Sequence, residues 1–160
     1  MIFVTVGTHH QPFQRLLDAL DSFDGAELTV QYGRGKAPAG VARAAPYMRF
    51  DEMVACFREA DVVITHAGVG SILCARREGH VPLVVPRRHE LGEHVDEHQA
   101  ELTRALAERS TVIAVWDTAK LAELTATAPA RTQPMEAVDP SLPRQVRAAL
   151  LGGGAQINPA

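Results

Sequence analysis

Short apolar runs alternate along this chain with longer stretches of helical period. Ile2 to Val6 is a near-continuous, β-branched run and predicts a first strand. Gly7-Thr8 ends it, and beyond Pro12 the apolar residues Phe13, Leu16, Leu17 and Leu20 return every three or four positions, as on an amphipathic helix. Leu28 to Tyr32 predicts a second strand that Gly33-Arg34-Gly35-Lys36 breaks into a loop. Tyr47 to Phe50 predicts a third, and Asp51 is placed to cap a helix carrying Met53, Val54, Phe57 and Ala60. Val62-Val63-Ile64 predicts the fourth strand, followed by His66-Ala67-Gly68-Val69-Gly70-Ser71 and a helix from Ser71 to Arg77 that Gly79 stops. Pro82 to Pro86 predicts the fifth, with its prolines at the ends and not in the middle. The loop Arg87 to Glu93 then leads into a helix with Val95, Leu102 and Leu106 along one side. Val112 to Val115 predicts the sixth strand and Ala119 to Leu124 a short helix.

This alternation is the signature of βα units, so the expected class is α/β: a Rossmann-like open parallel sheet flanked by helices over residues 1–125. Residues 126–140 turn to Ala, Thr and Pro and are expected to form a linker. Leu142, Val146 and Leu150 then lie four apart, predicting a C-terminal helix at 141–151 ahead of a frayed tail at 152–160.

Composition narrows the picture. With 160 residues the chain makes one domain that buries roughly 70% of its unfolded surface, so no metal or disulfide staple is needed. Lys+Arg number 16 against Asp+Glu 19, for a net charge of -3. Without a basic stripe there is little charge to neutralise phosphates, and nucleic acid is excluded as a partner. Cys56 and Cys74 fall in helical, buried stretches, which predicts free thiols in a reducing compartment. The opening Met1-Ile2-Phe3-Val4 has no basic n-region or long apolar h-region, and no run of about 18 apolar residues follows. The expected location is therefore cytoplasmic, with any membrane role carried by a partner.

In an open parallel sheet, ligands bind at the carboxyl ends of the strands. That rule selects Gly7 to Gln11, His66 to Ser71 and Arg87 to Gln99. Gly68-Val69-Gly70-Ser71 joins a strand to a helix, where glycine lets the backbone approach a ligand and free N–H groups attract an anion. A diphosphate fits, with His66 and Ser71 adding hydrogen bonds; a plain turn in which glycine only permits positive φ fits too. The segment lacks the Gly-Lys-Ser of a P-loop and the third glycine of a dinucleotide fingerprint. His94-Val95-Asp96-Glu97-His98 matches the H-x-x-E-H form of a zinc hydrolase helix, against which stand a substrate-facing helix start and a plain solvated one. His9 and His10 follow the first strand, where a histidine serves as general base, as donor to a phosphate, or simply as surface.

Together, Val4-Thr5-Val6-Gly7-Thr8-His9 with Gln11-Pro12-Phe13, then His66-Ala67-Gly68-Val69-Gly70-Ser71, Val85-Pro86-Arg87 and Glu93-His94-Val95-Asp96-Glu97-His98-Gln99 resemble the glycosyltransferase family 28 C-terminal domain. They are most similar to its stand-alone members, which include the catalytic subunit of the transferase acting on dolichol-linked sugar and bacterial exopolysaccharide relatives. The resemblance implies the donor-binding half of a GT-B, inverting glycosyltransferase. It implies a UDP-sugar donor, a lipid-linked or polysaccharide acceptor, a separate membrane-anchored subunit supplying the acceptor half, and no cofactor or obligatory metal.

Carried over by position, Gly7 and Thr8 line the cleft with His9 beside them as candidate base. His66, Gly68, Gly70 and Ser71 hold the diphosphate, while His98 and Gln99 meet the donor sugar. Arg87 or Arg88 adds positive charge nearby. One position departs from the family pattern. Where relatives carry an acid for the ribose hydroxyls, three residues after the motif serine, this chain has Cys74, and Glu78 lies a turn too far on. That departure keeps open a second reading, a non-catalytic nucleotide-sugar binding module.

Overall fold

The computed structural model describes residues 1–23 and 28–134. Its sheet has six strands, all parallel: β1 (Ile2–Thr5), β2 (Leu28–Gln31), β3 (Arg43–Ala45), β4 (Val62–His66), β5 (Leu83–Val85) and β6 (Ile113–Ala114). They lie in the order β3-β2-β1-β4-β5-β6, so the chain works outward from β1 in one direction and then from β4 in the other. The expected Rossmann-like sheet is the observed one.

Five α-helices complete the described fold: α1 (Gln14–Asp18), α2 (Phe50–Glu59), α3 (Val69–Arg77), α4 (His98–Glu108) and α5 (Leu121–Ala126). On one face α1 and α5 cover the central strands through Phe13, Leu16, Leu17 and Leu121. On the other, α2 packs Cys56 and Phe57 against Phe3 and Val63, and α4 packs Leu102 and Leu106 against Val84. The central strands are covered on both sides, which is why β1, β4 and β5 read as continuous apolar runs without alternation. No helix among the described residues is long and apolar enough to cross a membrane.

Several expected boundaries are corrected. The third strand is Arg43–Ala45, not Tyr47 to Phe50. It is an edge strand with two exposed residues and one half-buried, so burial never imposed an apolar pattern on it. The segment after Pro46 is a connection whose Tyr47 side chain is 49% exposed. Asp51 lies inside the first turn of α2; the position before the helix is Arg49, and Glu52 reaches back to accept its backbone N–H at 3.0 Å. Val95 is 60% exposed in the connection before α4, not on a helix face. Helix α3 starts at Val69, two residues earlier than expected, which brings Gly70 into the helix. Cys56 and Cys74 are free thiols in helices, the first buried and the second half-buried.

Beyond α5, part of the expected linker is described. Thr132 donates to the Gly79 carbonyl through its backbone N–H and through its hydroxyl, each at 3.0 Å. The rest of the linker from 135, the expected helix at 141–151 and the tail at 152–160 lie outside the described residues.

Candidate functional site

The strand order reverses between β1 and β4, and in open sheets that switch point is where a crevice forms. Two glycine-bearing loops flank it. Thr5 is in register with Thr65, so Gly7 after β1 and His66 at the end of β4 come side by side.

His66 sits in a notch made by two glycines. A Cβ on Gly7 would lie 2.5 Å from the imidazole, and one on Gly68 only 2.1 Å from its Nε2. Gly7 also has φ +76, the left-handed region that suits glycine. Gly68, the N-cap of α3, has an ordinary φ of -81, so it is glycine because the ring of His66 needs the space. The plain-turn reading, glycine for positive φ, is therefore not the reason for Gly68. A Cβ on Gly70 would meet nothing within 4 Å, and the residue lies exposed beside the crevice. Among the described residues no side chain caps the start of α3, which leaves its first N–H groups free for an anion.

The imidazole of His66 is buried, and its pKa is pushed down to about 4, first by burial and then by the nearby Arg87 charge. It is a neutral ring at physiological pH. A base with a folded pKa below its ordinary 6.5 stabilises the fold fully above that value and loses the contribution as pH falls toward 4, because the unfolded chain takes up the proton first. Between about pH 7.5 and pH 5 the urea midpoint should therefore fall, by the equivalent of about 2 kcal/mol. His80, also lowered by burial, acts in the same direction. A midpoint that does not change over this range would show that the folded chain accepts the proton as readily as the unfolded one.

The Gly7 loop is held rigidly by a side chain that no motif pointed to. Gln31, 2% exposed at the end of β2, accepts from the Gly7 N–H at 3.0 Å and donates to the Gly7 carbonyl at 3.0 Å and the Pro46 carbonyl at 2.7 Å. The Thr5 hydroxyl donates to the same Gln31 oxygen at 2.7 Å. A buried amide satisfied on both sides rigidifies what it touches.

Arg87 is the second surprise. Its side chain is among the most buried in the protein, at 1% exposure. The guanidinium donates to the carbonyls of Gln11 at 2.9 Å, Glu93 at 3.1 Å and Val6 at 3.0 Å, with a longer 3.4 Å contact to Pro12, and it lies 4.6 Å from the Phe13 ring centroid. Burial lowers its pKa to about 10, which still leaves it charged. Arg87 thus pins the loop after β1 to the loop after β5 and supplies positive charge from below the crevice. Arg88 is turned outward and pairs with Glu90. The Glu93 carboxylate holds Arg15 at 2.8 Å and the Arg88 N–H at 3.0 Å, closing the same knot.

Above it three imidazoles stack. His9 lies 4.4 Å from His10 and 4.7 Å from His94, centroid to centroid, at about 30° in each case. The His9 pKa is lowered by burial and then by His94, Arg87 and His10, so the ring is neutral. Its Nδ1 accepts the Gln11 N–H at 3.3 Å, which leaves the proton on Nε2. Thr8 is exposed at the loop tip, and Ser71 is half-buried in the first turn of α3.

The H-x-x-E-H motif does not form one helical face. His98 opens α4, but His94 precedes it in the irregular connection. Both rings share Asp96, His94 Nδ1 at 3.0 Å from Oδ1 and His98 Nδ1 at 2.8 Å from Oδ2, and this pairing raises the His98 pKa. Among the described residues no three His, Cys, Asp or Glu side chains are grouped to hold a metal ion. The expected helical arrangement is corrected accordingly, because α4 begins only at His98 and the two imidazoles do not stand one turn apart on a helix. Gln99 is buried, and its side-chain oxygen accepts the Arg87 backbone N–H at 3.0 Å. Cys74 faces α2, packed against the cluster of Phe57 and Met53, and burial raises its thiol pKa.

The structure thus brings together Gly7, Thr8, His9, His66, Gly68, Gly70 and Ser71 around the switch point, and ties Gln99 to the same loops through Arg87. His98 stands on the outer rim, its side chain 66% exposed. A model of the glycosyltransferase family 28 C-terminal domain matches residues 1–138. The UDP-N-acetylglucosamine transferase subunit ALG13 of Yarrowia lipolytica is 28% identical over an alignment of 134 residues that covers 74% of this chain and 66% of that protein. The chain therefore spans just under two thirds of that relative's length.

Proposed function

Because this chain belongs to the glycosyltransferase family 28 C-terminal domains, we propose that it is the donor-binding subunit of an inverting, GT-B type glycosyltransferase. It takes a UDP-sugar and passes the sugar to a lipid-linked or polysaccharide acceptor held by a membrane-anchored partner, at the cytoplasmic face. The observation that carries this reading is the interlock of Gly7, His66 and Gly68 beside the uncapped start of α3, with Gly70 open to solvent. A diphosphate there meets free N–H groups and the positive end of a helix, and the charge that grows on leaving UDP is stabilised by the same donors. Arg87 adds field from beneath without touching the ligand.

The neutral His9, with its Nε2 proton, acts in this proposal as a donor to phosphate or sugar oxygens. That leaves the proton of the incoming hydroxyl to His94, backed by Asp96, or to a group of the partner. Thr8 and Ser71 line the nucleotide, and Gln99 and His98 meet the sugar. The acceptor half is expected above the carboxyl edge, where Tyr47, Leu91, Val95 and Trp116 expose large apolar side chains on the loops after three different strands. The relative's printed name, that of a transferase subunit, supports a partner-dependent role.

The test is calorimetric titration of the chain with UDP, UDP-N-acetylglucosamine and GDP. Saturable binding of the uridine ligands, abolished by His66→Ala in a variant that keeps its circular dichroism, is the expected result. Equal binding of GDP, or none lost in the variant, would reject a uridine-specific donor site at this crevice. Uridine binding with no turnover once the partner is supplied would favour the non-catalytic module, for which Cys74 in place of an acid speaks.

A further inference from the structure

Six of the seven histidines in this chain, His9, His10, His66, His89, His94 and His98, fall at or just beyond the carboxyl ends of the strands. Three of them form the stack already described, with His9 4.4 Å from His10 and 4.7 Å from His94. Permanent positive charge near the crevice is committed to the protein itself. Arg87 is buried on backbone carbonyls, Arg15 is held by Glu93, and Arg88 is paired with Glu90. Arg34 and Lys36 belong to the loop after β2, where the Lys36 N–H is bonded to Gln14 of α1, and Arg104 lies over Trp116 beyond the edge strand β6. Among the described residues, a diphosphate in the crevice therefore faces imidazoles and not free cations. The terminal phosphate of a nucleoside diphosphate loses its last proton at about pH 6, so at neutral pH it carries one negative charge more than the sugar ester does.

Resting on the donor-site reading above, we propose that the His9, His10 and His94 stack takes up one proton when the crevice holds UDP and keeps it until UDP leaves. In transfer, that proton is the one the incoming hydroxyl loses. The acceptor oxygen bonds to the anomeric carbon, the bond from that carbon to the phosphate oxygen breaks with its electron pair going to UDP, and the proton passes to an imidazole. The extra charge on UDP and the extra charge on the stack then appear together. UDP added to the free chain draws the same proton from solvent, whereas the sugar ester, one charge poorer, has less need of it.

Geometry selects the ring. His9 Nδ1 already accepts the Gln11 N–H at 3.3 Å, so a second proton on His9 would displace that bond. Burial and then His94, Arg87 and His10 oppose it too, holding the His9 pKa below its ordinary value. His66, at the end of β4, is buried between Gly7 and Gly68. His94 instead faces Asp96 Oδ1 with its Nδ1 at 3.0 Å, so an imidazolium there keeps a carboxylate beside one nitrogen while the other takes the proton. Asp96 is shared with His98 from the start of α4, and the Glu93 carboxylate is taken up by Arg15 and the Arg88 N–H. With His94 only 4.7 Å from His9, like charges would repel, and the stack holds one proton and not two.

Calorimetric titration of the chain at about pH 7.5, in three buffers of different ionisation heat, counts the proton. Free UDP is already ionised there, so uptake belongs to the protein. UDP should take up about one proton and UDP-N-acetylglucosamine less than about a third of one, and UDP affinity should rise about five- to tenfold from about pH 8 to pH 7, because a bound proton raises affinity as pH falls. In His94→Gln the uptake should fall to near zero and the pH slope should flatten. The histidine Cε1 resonances of the wild type give a reading that needs no variant, since adding UDP should move one ring of the stack to its imidazolium position. UDP binding with the same heat in all three buffers, or uptake unchanged in His94→Gln, would overturn the proposal and leave the donor site standing. Absence of UDP binding to the wild type would instead overturn the donor-site reading, and this inference with it.

Discussion

Arg87→Met is expected to lower stability by about 3–5 kcal/mol, mostly through what it leaves behind. Replacing a buried ion pair with apolar side chains is often harmless, because both charges leave together. Here the partners are the backbone carbonyls of Val6, Gln11 and Glu93, with Pro12 further off, and these cannot be removed. Each loses its donor inside a packed interior, at a cost of about 1–3 kcal/mol for a buried acceptor. Removing the desolvated charge gives part of that back. Arg87→Lys should do little better, because one ammonium cannot reach carbonyls on both loops at once. A thermal melt of each variant checks this. A midpoint lowered by about 10 °C is expected for a domain of this size, and a change of less than a few degrees would show that the loops after β1 and β5 are held by other contacts.

Gly68→Ala and Gly70→Ala, two residues apart in one motif, should give opposite results. At position 68 a Cβ would fall 2.1 Å from His66 Nε2, so the ring, which is buried, would have to shift. Overpacking of this kind costs about 1–3 kcal/mol. It also displaces the side chain at the centre of the crevice, so UDP binding should fall by at least about a hundredfold, the scale on which a 1 Å misplacement acts. At position 70 a Cβ meets nothing, and alanine in the first turn of α3 is if anything slightly stabilising. Gly70→Ala should therefore melt at or above the wild-type temperature and yet bind UDP more weakly, if the open space is where the diphosphate approaches. Two variants with unchanged affinity would remove the diphosphate from this loop.

Much of the site was legible because motif and topology coincide. Gly7-Thr8-His9 and His66-Ala67-Gly68-Val69-Gly70-Ser71 each follow an apolar run, and runs covered by helices on both faces need no alternation to be recognised. The edge strand at 43–45 was not legible for the converse reason. With its side chains exposed or half-exposed, nothing about Arg43-Ala44-Ala45 had to be apolar. Gln31 carried only a faint signal, a lone amide closing the short strand Leu28-Thr29-Val30-Gln31. The H-x-x-E-H spacing was misleading because it presumes a helix from His94 onward, and α4 begins at His98, where Asp96 accepts the backbone N–H at 3.1 Å.

By itself, then, the order of residues determined the βα alternation, the parallel sheet and the loops that meet at its carboxyl edge. Those features rest on local period and on turn chemistry, which a linear pattern records. Only the tertiary structure decided that Arg87 is buried between two loops and holds their carbonyls, and that His9 stacks between His10 and His94. It also decided that Gly68 is glycine for the sake of a histidine two residues before it. Each of these depends on which groups become neighbours when strands far apart in sequence align, and on how burial then shifts their charge. An arginine after a strand looks the same in sequence whether its guanidinium ends in water or against four carbonyls.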